Sequence, residues 1–318
     1  MTKPIPVPSL TPSHALLSSL GLVRSRFGNY EAQQMPTREE LEKFYRDVYY
    51  QSETGSYSLH YDDEELAYIR GQAAMRHRLM QTRGWLPGGA LSLLDVGCGE
   101  GHSLKYFSDQ GWRVHGLDFS LDGCQRMNPD CLLWLTQGDV FENLDHLISE
   151  NASYDVVMLD NVLEHVIDPL GLLKALRRLV KPGGTLIVEV PNDFSQVQMN
   201  ALAQGWIDRA FWVGIPQHLS YFNGDGLRAL CSEAGWRCGA MLSDFPVDWF
   251  LANPNSNYIS GVATGTGKGS LLGKGAHRAR IALENLMRNS NIDRLNDLYA
   301  SMGAMGVGRT ILGFFRCD

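Results

Sequence analysis

Apolar and polar positions alternate in a regular order through the middle of the chain. Short apolar runs are separated by longer stretches in which apolar residues recur at helical spacing. The clearest of these stretches has Leu170, Leu173 and Leu176 on one side and Lys174 and Arg177 on the other. This alternation predicts an α/β fold in which helices connect the parallel strands of one sheet. The predicted strands are Leu91–Val96, Arg113–Leu117, Leu132–Thr136, Asp155–Leu159 and Thr185–Val190.

The regions on either side of this pattern divide the chain further. Residues 1–35 are predicted to be an extended lead, and residues 36–84 a polar helical region. The core, residues 85–244, ends with a predicted helix at 224–235 and a strand at 236–243. Residues 245–306 form an insertion that is Gly-rich at first and helical from 276 to 303. Residues 307–318 supply the last strand.

Composition limits the classes of partner. A formal net charge of −7 over 318 residues argues against a protein that binds nucleic acid phosphates regardless of base sequence. Six cysteines without a C-x-x-C pair do not suggest a zinc knuckle, and we predict no metal site. The N-terminal residues lack the apolar segment of a signal peptide, and no apolar run has the length of a membrane span. We therefore expect a cytoplasmic protein that binds a small molecule and neither nucleic acid nor membrane. The oligomeric state is not predicted.

The segment most informative about chemistry is the glycine-rich turn LDVGCGEG, which ends at Gly101. A turn of this kind after a parallel strand lets backbone N–H groups approach a ligand closely. Asp118 ends the second strand, where its carboxylate can accept hydrogen bonds from a ribose diol. A dinucleotide site is the competing interpretation, but His102 occupies the third glycine position of its G-x-G-x-x-G fingerprint. After the third strand, Asp139 either accepts from an adenine amine or caps the next helix.

Several motifs in this order resemble the class I methyltransferases that depend on S-adenosylmethionine (SAM). They are LLDVGCGEG, the acidic Asp118, GDV, YDVVMLDNVLEHVIDP and VKPGGTLIVEVPN, and they are similar to those of quinone-biosynthesis O-methyltransferases and their sugar- and natural-product-modifying relatives. The resemblance covers about residues 90–240. It implies a Rossmann-like sheet of seven strands, mostly parallel with the last antiparallel. It also implies a helical lid at the N-terminus, an insertion between the last two strands, SAM as cofactor and S-adenosylhomocysteine (SAH) as product.

The residues that the resemblance assigns to the cofactor fall into three groups. The first surrounds the methionine part, the second binds the ribose and adenine, and the third lines the sulfonium side. In that order they are Asp95, Gly97, Cys98, Gly99 and Gly101; Asp118, Phe119, Asp139 and Val140; and Asp160, Asn161 and His165. For Glu164 and His165, which share the LEHV turn, an architectural role is the competing interpretation.

Methyl transfer to a hydroxyl needs alignment of the reacting atoms and a base for the proton. His218 in the segment PQHLSYF is the candidate base, because this segment follows the fifth strand on the side where the family builds its substrate pocket. Tyr221 is the candidate for positioning the substrate. The alternatives are that His218 only fixes its loop and that Tyr221 only packs.

The expected reaction is O-methylation of a sugar, nucleotide-linked or natural-product-type acceptor, because the cysteine-rich module of related C-methyltransferases is absent from this sequence. N- or C-methylation, a catalytically silent SAM-binding protein and an NAD-dependent oxidoreductase are the alternatives. A basic cluster in the insertion is either solvated or in contact with a phosphate or carboxylate of the substrate. It comprises Lys268, Lys274, His277, Arg278 and Arg280. Aromatic residues of the N-terminal region are predicted to form the lid, namely Phe44, Tyr45, Tyr49, Tyr50, Tyr57 and Tyr61.

Overall fold

The computed structural model describes residues 11–44, 60–259 and 271–317. The elements of its N-terminal part are α1 (His14–Ser19), β1 (Leu22–Arg24), β2 (Tyr30–Ala32), α2 (Arg38–Phe44) and α3 (Asp63–Thr82). Residues 11–35 are therefore not the extended lead that the sequence predicts. Leu17, Leu22 and Tyr30 are buried in an apolar cluster with Trp212, and this burial holds the segment in place.

Strands and helices then alternate as the hydrophobic pattern predicts. In chain order the elements are β3 (Ser92–Val96), α4 (His102–Asp109), β4 (Arg113–Asp118), α5 (Asp122–Met127), β5 (Leu135–Gln137), α6 (Val140–Ser149), β6 (Tyr154–Asp160), α7 (Pro169–Arg177), β7 (Val180–Pro191), α8 (Gln196–Ala203), β8 (Ser220–Tyr221), α9 (Gly224–Glu233), β9 (Arg237–Ser243), α10 (Leu271–Ser290), α11 (Ile292–Met305) and β10 (Thr310–Arg316).

The main sheet has seven strands in the order β5-β4-β3-β6-β7-β10-β9. β3, β4, β5, β6 and β7 pair in parallel, whereas β10 runs antiparallel to both β7 and β9. The predicted Rossmann-like sheet with an antiparallel last strand is thus confirmed. β1, β2 and β8 form a separate three-stranded sheet.

Helices cover both faces of the main sheet, so its central strands are apolar on both sides. On one face, Leu94, Val157 and Val188 pack against α7 and α9. On the other, Leu93, Met158 and Ile187 pack against side chains of α3, α4 and α11. The N-terminus of α3 is fixed by a capping box between Asp62 and Glu65.

Two segments differ from the prediction. The third strand begins only at Leu135, because Pro129–Trp134 forms a 3₁₀-helix in which proline occupies the first turn. In the insertion, two helices replace one helical stretch, since the Asn291 side chain caps α11 by accepting from Arg294 N at 3.0 Å. In the part of the chain that the structure describes, no helix has both the length and the apolar character of a membrane span.

Candidate active site at the carboxyl end of the sheet

A cavity of about 780 Å³ lies at the carboxyl ends of β3, β6 and β7, with α3 as one wall. We distinguish two parts of its lining. The loop half comes from the turn after β3 and includes Asp95, Gly97, Cys98, Gly99, Glu100 and His102. The arginine half comes from α3, β7, α10 and the start of β10 and includes Gln72, Arg76, Glu189, Arg280, Arg309 and Thr310.

The backbone of the turn after β3 adopts a conformation that favours glycine. Gly97, Gly99 and Gly101 all have positive φ, of +75°, +52° and +75°. A Cβ atom on Gly97 would lie 2.4 Å from Cγ2 of Val162, so the space beside this residue is closed to a side chain. Cys98 lines the cavity, whereas Gly101 starts α4 outside its lining.

Two carboxylates of the loop half have oxygens without a hydrogen-bond partner in the described structure. Asp95 Oδ1 and Glu100 Oε1 are both buried in this way, and both residues line the cavity. Burial, and then the neighbouring Asp160, raises the pKa of Asp95 to about 8. Buried acceptors in this state need donors, which the ammonium group of SAM can provide. The loop half therefore fits the methionine part of SAM, whose sulfonium supplies an activated methyl group.

The residues predicted for ribose and adenine lie beside the cavity rather than in its lining. The Asp118 carboxylate accepts from Gly99 N at 2.7 Å and from Ser120 N at 2.9 Å, so it holds the glycine turn in place. Phe119 is exposed over 43% of its surface, and Val140 is half-buried. Asp139 caps α6 by accepting from Glu142 N at 3.0 Å. Contact of these residues with the cofactor stays a prediction.

Asp139 also forms an ion pair with the N-terminal region. Its carboxylate lies 3.1 Å from an Arg38 guanidinium nitrogen on α2. Of the aromatic residues predicted for the lid, Tyr61 lines the cavity and donates to Glu100 Oε2 at 2.8 Å. Phe44 ends α2, while Tyr45, Tyr49, Tyr50 and Tyr57 lie outside the described residues.

Between the two halves, the turn after β6 and the loop before β8 bring two histidines together. The ring centroids of His165 and His218 are 4.8 Å apart, and both residues line the cavity. His165 Nδ1 lies 2.6 Å from Gln217 O and donates to it, because a carbonyl can only accept. Glu164 is fully buried beside them, and burial raises its pKa well above the usual range.

Glu164, His165 and His218 form a group that the sequence did not reveal, because His218 is distant from the other two along the chain. One ligand atom of each lies within 4.8 Å of the others, so the three can hold a metal ion. The prediction of no metal site therefore missed a possible ligand set.

Tyr221 is placed differently from the prediction. It is completely buried and is not part of the cavity lining. Its hydroxyl donates to His218 O at 2.9 Å and accepts from Gly214 N at 3.2 Å. Burial raises its pKa to about 12. Tyr221 thus fixes the loop that carries His218 and does not reach a substrate.

The arginine half contains charged residues that the sequence analysis missed. Arg76 is 4% exposed and contacts two carboxylates, Asp160 at 2.8 Å and Glu189. A signal existed for Glu189, which is the one charged residue in the apolar run TLIVEVP. Arg76 gave a weaker signal, since its position falls on the buried side of α3 between Ala73 and Leu79.

Two further arginines line this half, and buried carboxylates hold both. Arg280 of α10 donates to Glu284 at 3.0 Å and to Asp244 at 2.9 Å. Arg309 donates to Asp193 at 3.3 Å. Burial raises the pKa of Asp193 to about 7 and that of Asp244 to about 6, while the arginines oppose the shift.

Comparison with known proteins agrees with this arrangement. The family model described as a methyltransferase domain matches residues 66–239, more than half of the chain. A ubiquinone biosynthesis O-methyltransferase from Cereibacter sphaeroides is 31% identical over 187 residues, which cover 55% of this chain and 74% of that protein. One from Sodalis glossinidius is 35% identical over 106 residues, or 32% of this chain and 41% of that protein.

Among solved structures, a SAM-dependent methyltransferase from Archaeoglobus fulgidus is 18% identical. The match has a TM-score of 0.46 and covers 77% of this chain and 94% of that one. The family match covers most of α3, the glycine turn and strands β3, β6 and β7, whereas α10 and β10 of the arginine half lie outside it. The chain belongs to the methyltransferase domain family, and it is a SAM-dependent methyltransferase with a Rossmann-like sheet.

Proposed function

We propose that this methyltransferase acts on a hydroxyl group of a polar small molecule of the sugar, nucleotide-linked or natural-product type. The observation that carries the proposal is the arginine half of the cavity, whose lining includes Arg76, Glu189, Arg280 and Arg309. If an apolar acceptor were bound against this wall, the charged side chains would lose water without gaining a polar partner. The names of the relatives, O-methyltransferases of ubiquinone biosynthesis, support oxygen as the accepting atom.

A phosphate or carboxylate on the acceptor would meet Arg280 and Arg309. Arg280 uses Nε and Nη2 for Glu284, Tyr68 and Asp244, and none of these hydrogen bonds uses its Nη1. Arg309 donates a hydrogen bond to Asp193 from one of its guanidinium nitrogens. The remaining N–H groups of the two residues are donors of the kind that bind oxyanions.

Of the basic cluster predicted from the sequence, Arg280 is the member that lines the cavity. Arg278 is exposed and pairs with Asp62 at 2.8 Å, and His277 lies 3.7 Å from Glu65. Lys268 and the side chain of Lys274 lie outside the described residues. The proposed anion contact therefore rests on Arg280 together with Arg309.

A hydroxyl keeps its proton at neutral pH, so its methylation is helped by a base within reach. Two lining residues of the cavity have side chains that can accept such a proton, the predicted His218 and, from β7, Glu189. The other residues would bind and orient, with the loop half holding SAM and the arginine half holding the acceptor. The walls between them would exclude water.

The experiment is a screen for SAH release from SAM with a panel of hydroxylated sugars and nucleosides. Each compound is supplied with and without a phosphate or carboxylate, and matched amines are included. We expect turnover with an anionic hydroxyl compound and a KM for it that rises at least tenfold in Arg280→Gln. Arg278→Gln is the matched control, two residues away on α10, and should leave KM unchanged.

Two results would contradict the proposal. Turnover restricted to amines would exclude O-methylation. An equal KM in wild type, Arg280→Gln and Arg309→Gln, with all three proteins folded by thermal denaturation, would exclude the anion contact.

A further inference from the structure

Acidic side chains stand in a row on three neighbouring strands at the cavity. Asp95 is the second-last residue of β3, Asp160 ends β6, and Glu189 lies near the end of β7. Asp160 and Glu189 are partners in the parallel register, and all three lie on the sheet face that α3 covers. Parallel neighbours in register place their side chains side by side, so the carboxylates of Asp160 and Glu189 are close to each other.

One cation faces this row from α3. The buried guanidinium of Arg76 donates to Asp160 Oδ2 at 2.8 Å and to Glu189 Oε2. One positive charge is thus paired with two carboxylates, and the carboxyl group of Asp95 lies nearby. Like charges this close do not all ionise readily in a buried site, and one carboxyl group is expected to retain a proton near neutral pH.

Glu189 is the member of the row most suited to carry that proton. Burial, and then the charge of Asp160, raises its pKa to about 7, while Arg76 opposes the shift. The other titratable groups around it are Asp244 beyond β9, Tyr68 on α3 and Glu164 after β6. The nearby guanidinium of Arg280 is engaged with Asp244, Glu284 and Tyr68, whereas Arg76 contacts Glu189 directly, so Arg76 is the cation paired with Glu189.

Glu189 is also open to the cavity. Its side chain is 17% exposed, and it lines the cavity together with Asp160 and Asn161 of the predicted sulfonium side. Arg76 occupies Oε2, and the described structure gives Oε1 no hydrogen bond. The second oxygen of Glu189 is therefore available to a group bound in the cavity.

We propose that Glu189 takes up the proton that the acceptor hydroxyl loses during methyl transfer, an inference that rests on the proposed function. As the acceptor oxygen bonds to the methyl carbon, its O–H bond breaks and the proton passes to Glu189 Oε1. The electron pair of the broken carbon–sulfur bond stays on sulfur. Glu189 then touches the reacting oxygen, and Arg76 positions it.

The charges of Glu189 and sulfur would change together. With SAM bound, the cluster of Arg76, Asp160 and ionised Glu189 carries one net negative charge beside a positive sulfonium. With SAH bound, the sulfur is neutral and a protonated Glu189 makes the cluster neutral. Each state is balanced, so the buried site never holds an isolated charge.

The link between the sulfonium charge and the protonation of Glu189 can be measured without knowing the acceptor. SAM and SAH are titrated at pH 7 by calorimetry in two buffers of different ionisation enthalpy, which gives the protons released on binding. The ammonium and carboxylate are common to both ligands, so their own contribution cancels in the difference. The sulfonium would also lie near Asp95, so the variants have to separate the proton of Asp95 from that of Glu189. If the sulfonium lowers the pKa of Glu189 by about one unit, SAM releases about 0.4 proton more than SAH.

Three variants assign the difference to a residue. Glu189→Gln should abolish the difference, while Asp193→Asn, which removes a buried carboxyl outside the cavity lining, should leave it unchanged. A difference that persists in Glu189→Gln would overturn the proposal, and its loss in His218→Gln would then assign the proton to the histidine. Equal proton release by SAM and SAH in the wild type would overturn it without any variant. Failure of both ligands to bind would instead count against the proposed function.

Discussion

The two halves of the cavity are built in different ways. The loop half comes from one short segment, Asp95 to Ser103, and its shape is set by glycine backbone angles. The arginine half is assembled from α3, β7, α10 and β10, and its shape is set by ion pairs between buried side chains. A fixed ligand such as SAM can be held by backbone geometry, whereas an acceptor that differs between enzymes needs side chains that can be exchanged. Substitutions of Arg76 in one half and of Gly97 in the other test this contrast.

The largest effect is expected from removing the central cation of the arginine half. Arg76→Met removes a buried guanidinium and leaves the part-buried Asp160 and Glu189 side by side without their partner, and breaking a buried ion pair costs about 3–5 kcal/mol of unfolding free energy. Urea denaturation measures it. Arg78→Met is the matched control, because Arg78 forms an exposed pair with Asp293 that is worth at most about 1 kcal/mol.

The Arg76→Met defect should also depend on pH. The folded-state pKa of Glu189, about 7, is already above its value in the unfolded chain. Loss of Arg76 raises it further, so between pH 6 and 8 Glu189 ionises in folded wild type but stays protonated in the folded variant. The stability difference between the two proteins therefore grows as the pH rises from 6 to 8. An Arg76→Met defect no larger than that of Arg78→Met at either pH would show that the ion pairs do not determine this half.

A second test concerns the backbone of the loop half. In Gly97→Ala the Cβ atom would meet Val162 at 2.4 Å at a φ of +75°, and we expect the affinity for SAH to fall about 100-fold. Gly88→Ala is the control, because nothing lies within 4 Å of its Cβ position. The double variant Gly97→Ala/Val162→Ala separates the two causes. Recovery of affinity would assign the loss to the steric contact, and its absence to the backbone angle.

The smallest effect concerns Asp139, where capping and adenine contact are both predicted. Asp139→Ala should lose about 1 kcal/mol of stability because α6 loses its cap. Asp139→Ser keeps a capping side chain but has a shorter reach, so it should keep the stability. If Ser also keeps the wild-type affinity for SAH in calorimetry, the adenine contact is excluded. A loss of affinity in the Ser variant without a loss of stability would support the adenine contact.

The sequence was a good guide to the sheet and the loop half, and a poor one to the arginine half. Strand periodicity and the motif around Gly97 depend on neighbours along the chain, so both are visible in a single sequence. The contacts of Arg76 with Glu189 and of Arg309 with Asp193 join residues that are distant in the chain. Tyr221 shows the same limit, because its residue type suits a substrate contact and only the fold shows its hydroxyl to be occupied.

The contacts of Asp244 determine which parts of the insertion can change in sequence. Its carboxylate, at the start of the insertion, accepts from Arg309 N at 2.6 Å and Thr310 N at 2.8 Å at the far end, and from Arg280 within it. Hydrogen bonds to this one carboxylate thus join the two ends of the insertion next to the sheet. The pairing of β9 with β10 is therefore fixed at the base of the insertion, and changes away from the clamp and from the packed face of α11 would leave that register intact.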